Sequence, residues 1–375
     1  MPPTHDRLRG PAIPSLPSLT GVRGVAAFAV FVSHMRYVFP AGEGDAGDAG
    51  PNLSRLLNWG AYGVTLFFIL SGFVLAWTWA DSTGPRTYAR RRVARVWPVH
   101  AVVWAAFVVT ALVGAAPRPD AGAAAATLVL VQCWIPGRGW ADAVNPVAWT
   151  LSCEAFFYLV FPFVVGPIRR LGARGLLLAA GAVAAFGAAT VIGLLEPRGI
   201  RVSSFPPFRI WEFLLGVIAG TAMRSGYLRR SLPVPVSLML LVGAMAAGTW
   251  ERRLRGASSV AITVGCLLVV CALAAHDLGA VDLAAIDPSA AAAARPLRWL
   301  ASDLAQWAGE RSYAFYLVQL LPVTILKWLG MASSSWRASI LEIAGWLALT
   351  VLAAMALHTY VEKPTVARFR YARAR

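Results

Sequence analysis

The sequence predicts an all-α fold: a polytopic transmembrane helical bundle of about ten spans plus one short re-entrant or interfacial helix. Three observations carry this. The 375 residues are 58% hydrophobic and 14% charged, against about 25% charged in an ordinary globular chain, and mean hydropathy is +0.62. The apolar residues come in repeated runs of about 20, each long enough to cross roughly 30 Å of hydrocarbon. The formal net charge of +16, from 34 basic and 18 acidic residues, gathers between those runs. There it fits cytoplasmic loops and anionic lipid headgroups. Nucleic-acid binding would need a soluble basic domain, and none is present.

Residues 1–17 read as a Pro-rich cytoplasmic tail carrying Arg7 and Arg9. The apolar run that follows is too long for a signal peptide and lacks a convincing Ala-x-Ala cleavage site, so it is a retained first span, 18–39. The stretch 41–51 is Gly-rich and acidic, and hence exposed. Span two is 60–80, followed by the most basic connection in the chain, with Arg86, Arg90, Arg91, Arg92 and Arg95. Span three is 96–115. The next apolar piece, 121–135, is short for a crossing and reads as re-entrant or interfacial. Spans four to eight are 147–165, 175–195, 207–223, 235–250 and 258–275. An Ala-rich connector, 276–296, leads to spans 304–328 and 339–360. The membrane domain thus covers 18–362, and 363–375 is a basic cytoplasmic tail.

The positive-inside rule supports this count. If 121–135 does not cross and the N-terminus is cytoplasmic, then Arg86–Arg95, Arg169–Arg174, Arg224–Arg230 and the tail all fall inside. Glu43, Asp45 and Asp48 then fall outside. The group Glu251, Arg252, Arg253 and Arg255 breaks the pattern. The four cysteines, Cys133, Cys153, Cys266 and Cys271, lie in or beside apolar stretches with no CxxC pair; they read as small buried hydrophobes, with neither disulfides nor a metal site.

Ionisable residues inside apolar spans are costly and mark candidate functional positions. Arg23 and His34 are eleven residues apart in the first span, about three helical turns or roughly 16 Å of rise, so they share a face at two depths. Topology puts Arg23 near the inner face and His34 in the outer half. His34 suits a general base near neutral pH, and a histidine satisfied by an interhelical hydrogen bond is the plainer alternative. Arg23 also suits a snorkelling anchor. Glu154, in Trp149-Thr150-Leu151-Ser152-Cys153-Glu154, starts an outside-to-inside helix and is expected to meet His34, orienting it as a carboxylate orients histidine in a catalytic triad. Arg92 and Arg95 sit at the inner mouth, where they serve either lipid phosphates or a phosphate-bearing cytosolic ligand. Ser71 and Gly72 are a small pair in an aromatic span, which alone signals close helix packing.

Five ordered stretches, taken together, resemble the acyltransferase-3 family of integral membrane O-acyltransferases. They are 19–34; 63–73 (GVTLFFILSGF); 88–98 (YARRRVARVWP); 146–162 (PVAWTLSCEAFFYLVFP); and 312–319 with 360–364. Departures from the family pattern are Gln319 where histidine is frequent, Lys363 for arginine, Thr150 for serine, and Cys153 for an aliphatic residue.

The resemblance implies transfer of an acyl group from acyl-CoA, a co-substrate rather than a resident cofactor, to a hydroxyl of a sugar-containing acceptor. His34 and Glu154 would be catalytic, and Arg23, Arg92 and Arg95 would bind acyl-CoA. Ser71, Asn145, Trp149 and Ser152 are candidates for substrate or oxyanion contacts. The acceptor would be a surface glycan or a glycosylated small metabolite such as a macrolide. No extracytoplasmic hydrolase-like domain is expected after the last span. The expected location is the cell membrane of a bacterium, multi-pass, with both termini cytoplasmic. A transporter or flippase of a lipid-linked or small glycoside is the alternative.

Overall fold

The computed structural model describes residues 13–35, 55–135, 139–193, 203–228, 231–250, 255–286, 298–331 and 336–371. Within them the chain is helical throughout: α1 Pro17–His34, α2 Gly63–Thr78, α3 Pro85–Leu112, α4 Ala121–Leu128, α5 Trp149–Arg169, α6 Ala173–Val191, α7 Pro206–Arg224, α8 Val234–Trp250, α9 Arg255–Ile286, α10 Asp303–Val318, α11 Leu320–Trp328, α12 Trp336–Leu357 and α13 Lys363–Tyr371. The acidic stretch 41–51, Arg229, Arg230, Glu251, Arg252 and Arg253, on which part of the sidedness argument rested, lie outside the described residues.

Among the described residues six helical segments are long and apolar enough to cross a membrane: Arg55–Thr78, Pro85–Leu112, Trp149–Arg169, Ala173–Val191, Ala257–Val281 and Ile340–Phe369. The other expected spans fall short of that test for visible reasons. α7 carries Arg209, Glu212 and Arg224 within 19 residues, α1 carries Arg23 and His34, and α8 is short. The stretch 121–135 is an eight-residue helix followed by a 3-10 turn. At about 12 Å this helix is far too short to cross.

Three expected boundaries move. The arginine-rich connection belongs to helix α3, which starts at Pro85, so Arg91, Arg92 and Arg95 are helical residues with Pro98 further along the same helix. The span 304–328 is broken at Gln319 into α10 and α11; Pro322 cannot bond to the carbonyl of Val318 and its ring crowds it. At the break the Gln319 carbonyl accepts from Trp346 Nε1 at 2.5 Å. Much of the connector 276–296 is helical, because α9 runs on to Ile286.

Lipid tails are as apolar as leucine, so close packing rather than water exclusion joins helices here. The α2–α7 contact shows this. Gly216 and Gly220 form a G-x-x-x-G pair in α7, opposite Gly72 in α2. A Cβ at Gly216 would lie 2.1 Å from the Ile69 carbonyl oxygen, and one at Gly72 would lie 2.0 Å from that of Phe213. Around this contact pack Phe68, Phe157, Phe161 and Phe213, with ring centroids 5.0–6.1 Å apart. The other faces are apolar too: Leu159, Phe163, Leu177, Leu178 and Leu341 are 67–75% exposed, as suits a lipid-facing belt.

Candidate active site

Polar side chains of α1, α2, α3, α5, α6, α7, α9 and α10 line the interior. These helices enclose two cavities. The first, of about 300 Å³, is lined by Arg23 of α1, Ser71 of α2, Arg92 and Arg95 of α3, and Glu154 and Tyr158 of α5. The second, of about 490 Å³, is lined by His34 of α1, Thr65 of α2, Trp149 of α5, and Arg209 and Glu212 of α7. Their shared wall is made by Val64 and Tyr316. α1 therefore runs past both, with Arg23 at one and His34 at the other, as the eleven-residue spacing predicts.

The expected meeting of His34 and Glu154 is corrected. α5 begins at Trp149 in the histidine cavity, and Glu154, five residues on and about 7.5 Å further along the helix, lies in the arginine cavity. There its Oε1 accepts from the Tyr158 hydroxyl in a short hydrogen bond and from Ser71 Oγ at 3.5 Å. Ser71 Oγ also lies 3.3 Å from the Tyr158 hydroxyl. Glu154 is thus built into the arginine cavity by its own helix and by α2.

The arginines are held in different ways. The guanidinium of Arg92 lies between the rings of Tyr88 and Tyr158, at 5.9 and 5.6 Å from their centroids. Such stacking orients a cation without consuming its donors. Its Nε–H is buried and has no hydrogen-bond partner among the described residues. Arg95 Nη1 is 3.8 Å from Glu362 Oε1, and the other carboxylate oxygen of Glu362 is 3.0 Å from His358 Nδ1. Glu362 and His358 are both buried and occupy a π-turn, His358–Glu362, that ends α12. Such turns concentrate at functional sites.

In the histidine cavity a second ion pair stands where the sequence analysis named none. Arg209 donates from Nε and Nη2 to the two oxygens of Glu212, both at 2.9 Å. Glu212 also accepts from Thr65 Oγ1 at 2.8 Å and is 3% exposed. The Arg209 guanidinium lies 5.6 Å from the Trp149 ring and 5.4 Å from that of Phe68. Ser33, Thr190, Ser203, Ser259 and Thr263 also line it, with the hydroxyls of Ser33, Thr190 and Thr263 each donating to a backbone carbonyl of its own helix. The signal was present in the sequence as an i, i+3 opposite-charge pair inside an apolar helix. Glu362 lies in the closing stretch 360–364, where the sequence signals no role for it.

The remaining candidates divide. Ser71 and Trp149 line the cavities. Asn145 and Ser152 do not, and both are fully committed to structure. Asn145 is buried, donating from its amide to the Leu317 carbonyl at 3.0 Å and accepting from the Val147 N–H at 3.2 Å. Ser152 Oγ donates to the Leu130 carbonyl at 2.7 Å, holding a leucine whose φ is +63°. Cys153 lies buried against the Ser204 carbonyl and lines neither cavity. All four cysteines are free thiols.

An arginine-lined chamber set against a histidine-bearing one, inside helices of membrane-spanning length, now meets its relatives. A family profile described as an acyltransferase domain matches residues 16–359, so the chain belongs to the acyltransferase-3 family. Among curated proteins it is 30% identical to the acyltransferase MdmB of Streptomyces mycarofaciens, over 84% of this chain and 83% of that protein. It is 29% identical to the exopolysaccharide production protein ExoZ of Rhizobium meliloti (strain 1021), over 50% of this chain and 67% of that one. No solved structure matches the chain.

Proposed function

We propose that the protein is a multi-pass O-acyltransferase of the cell membrane that moves an acyl group from acyl-CoA to a hydroxyl of a sugar-containing acceptor. The observation that carries this is the pair of cavities with one common wall. In this reading ten spans place both termini in the cytoplasm, and the arginine cavity opens inward. Arg92 and Arg95, with Arg23 deeper, receive the phosphates and pantetheine arm of acyl-CoA, and a guanidinium fork suits the phosphate anions. Glu154, tied to Tyr158 and Ser71, shapes the channel for the thioester.

The acceptor occupies the histidine cavity. An aromatic face with many hydroxyls around it suits a sugar ring, and Trp149 offers that face. His34 takes the proton of the attacking hydroxyl as the new C–O bond forms, then returns it to the departing CoA thiolate as the C–S bond breaks. No acyl-enzyme is needed. The acceptor is a surface glycan or a small glycoside such as a macrolide; the name of the exopolysaccharide production relative supports the glycan.

The test is direct. The purified protein is incubated with acyl-CoA and a panel of glycosides, and free CoA and product mass are followed. Acceptor-dependent CoA release that is lost in His34→Ala supports the reading. Release unchanged in His34→Ala removes the proposed base. Glycoside transport without CoA release would make the protein a carrier.

A further inference from the structure

Val64 and Tyr316 are the two described residues that line both cavities. Val64 has only methyl groups to offer. Of the two, Tyr316 alone carries a polar side-chain group at that wall. Its side chain is 6% exposed and fixed against Phe67, ring centroids 5.9 Å apart. Its hydroxyl lies 3.0 Å from Thr150 Oγ1 and 3.3 Å from the Val147 carbonyl oxygen.

Counting protons limits the direction of these bonds. Thr150 Oγ1 also lies 2.9 Å from the Val147 carbonyl oxygen. A hydroxyl has one donor; the hydrogen between Thr150 and Tyr316 can come from either, and when it is Thr150's the phenol donates to the Val147 carbonyl instead, so in each arrangement Tyr316 is a donor. The phenol O–H is thus parked between two acceptors. Swinging it toward a third oxygen leaves no buried donor unsatisfied. The backbone beneath is rigid, because Gln319 Nε2 donates to the Tyr316 carbonyl at 2.9 Å.

We propose that Tyr316 is a catalytic residue, the hydrogen-bond donor that stabilises the oxyanion of the acyl-transfer transition state. This rests on the acyltransferase reading above. As the acceptor oxygen bonds to the thioester carbon and His34 takes its proton, negative charge moves onto the carbonyl oxygen. The Tyr316 O–H turns from its resting acceptor to that oxygen. Collapse restores the C=O bond and breaks C–S, the thiolate takes the proton from His34, and the Tyr316 hydrogen returns to its resting acceptor. The phenol donates a hydrogen bond throughout and never loses its proton.

The experiment compares wild type, Tyr316→Phe and Tyr316→His in the full-length protein, in acceptor-dependent CoA release. Tyr316→Phe is expected to lower kcat about 10²-fold, the scale for one oxyanion donor, with KM for both substrates within two-fold of wild type. Tyr316→His, which restores a ring N–H, is expected to recover at least about ten-fold over Phe; a purely packing role would leave His no better than Phe. A Phe variant with kcat within three-fold of wild type overturns the proposal, as does a rise in KM at constant kcat. Should Tyr316→Phe fail to fold, the comparison passes to Tyr316→His: kcat within about ten-fold of wild type supports the donor, and a loss as deep as that of His34→Ala overturns it. If the wild-type protein releases no CoA with any acceptor, the acyltransferase reading has failed, and Tyr316 falls with it.

Discussion

Glu212→Gln isolates the ion pair of the histidine cavity. The substitution keeps the shape and one acceptor oxygen, but turns an NH₂ group toward Arg209, which now makes two 2.9 Å bonds to the carboxylate. Removing one partner of a buried pair costs about 3–5 kcal/mol, because the other charge is left uncompensated. The Arg209 side chain retains 19% exposure and Glu212 only 4%, so the arginine can draw on water in the cavity and about 3 kcal/mol is the expected cost. Chains of 150–250 residues lose about 2–4 °C per kcal/mol, and a longer one roughly half that. The midpoint of thermal unfolding in detergent should therefore fall by about 3–6 °C. Replacing the whole pair, as Arg209→Met with Glu212→Leu, should restore most of that loss, since an apolar pair of similar volume is often neutral. A Glu212→Gln protein melting within 1 °C of wild type, or a double variant less stable than the single one, would refute the reasoning.

Other outcomes follow from the same geometry. Arg92→Ala removes a stacked guanidinium; KM for acyl-CoA should rise about ten-fold, the value of one charge-assisted hydrogen bond, with kcat moving less, as steady-state kinetics will show. Trp149→Ala should raise the acceptor KM several-fold and leave that for acyl-CoA unchanged. Ser152→Ala should lower stability by about 1–2 kcal/mol without altering either KM, since Ser152 serves only Leu130. Gly216→Val should give no folded protein on size-exclusion chromatography, because its Cβ would fall 2.1 Å from a backbone oxygen.

Much of the bundle was legible because its signals are local. Runs of apolar residues place α2, α5, α6 and α12 within a few residues, and helical spacing alone puts Arg23 and His34 at two depths of one face. The misread features are tertiary. Charge density made Arg91, Arg92 and Arg95 look like a loop, yet all three lie within helix α3, where Arg92 stacks on Tyr88 and Tyr158. Glu154 was assigned to His34 from depth by loop counting, a coarse ruler; one and a half turns of α5 decide the matter. The pairing of Glu362 with Arg95 links residues at opposite ends of the chain, and no spacing rule reaches that far. Nor could any pattern show that Tyr316, one tyrosine in an aromatic motif, stands where two chambers touch.

That common wall also bears on the order of events. If, as proposed, donor and acceptor take separate chambers, they need not take turns in one pocket and can be held at the same time. Double-reciprocal plots at several fixed acceptor levels should then intersect to the left of the ordinate, the mark of a ternary complex. A shuttling acyl-enzyme would give parallel lines instead. Bound acyl-CoA would also wait behind Val64 and Tyr316, shielded from water until an acceptor fills the far side, so thioester hydrolysis without acceptor should be slow.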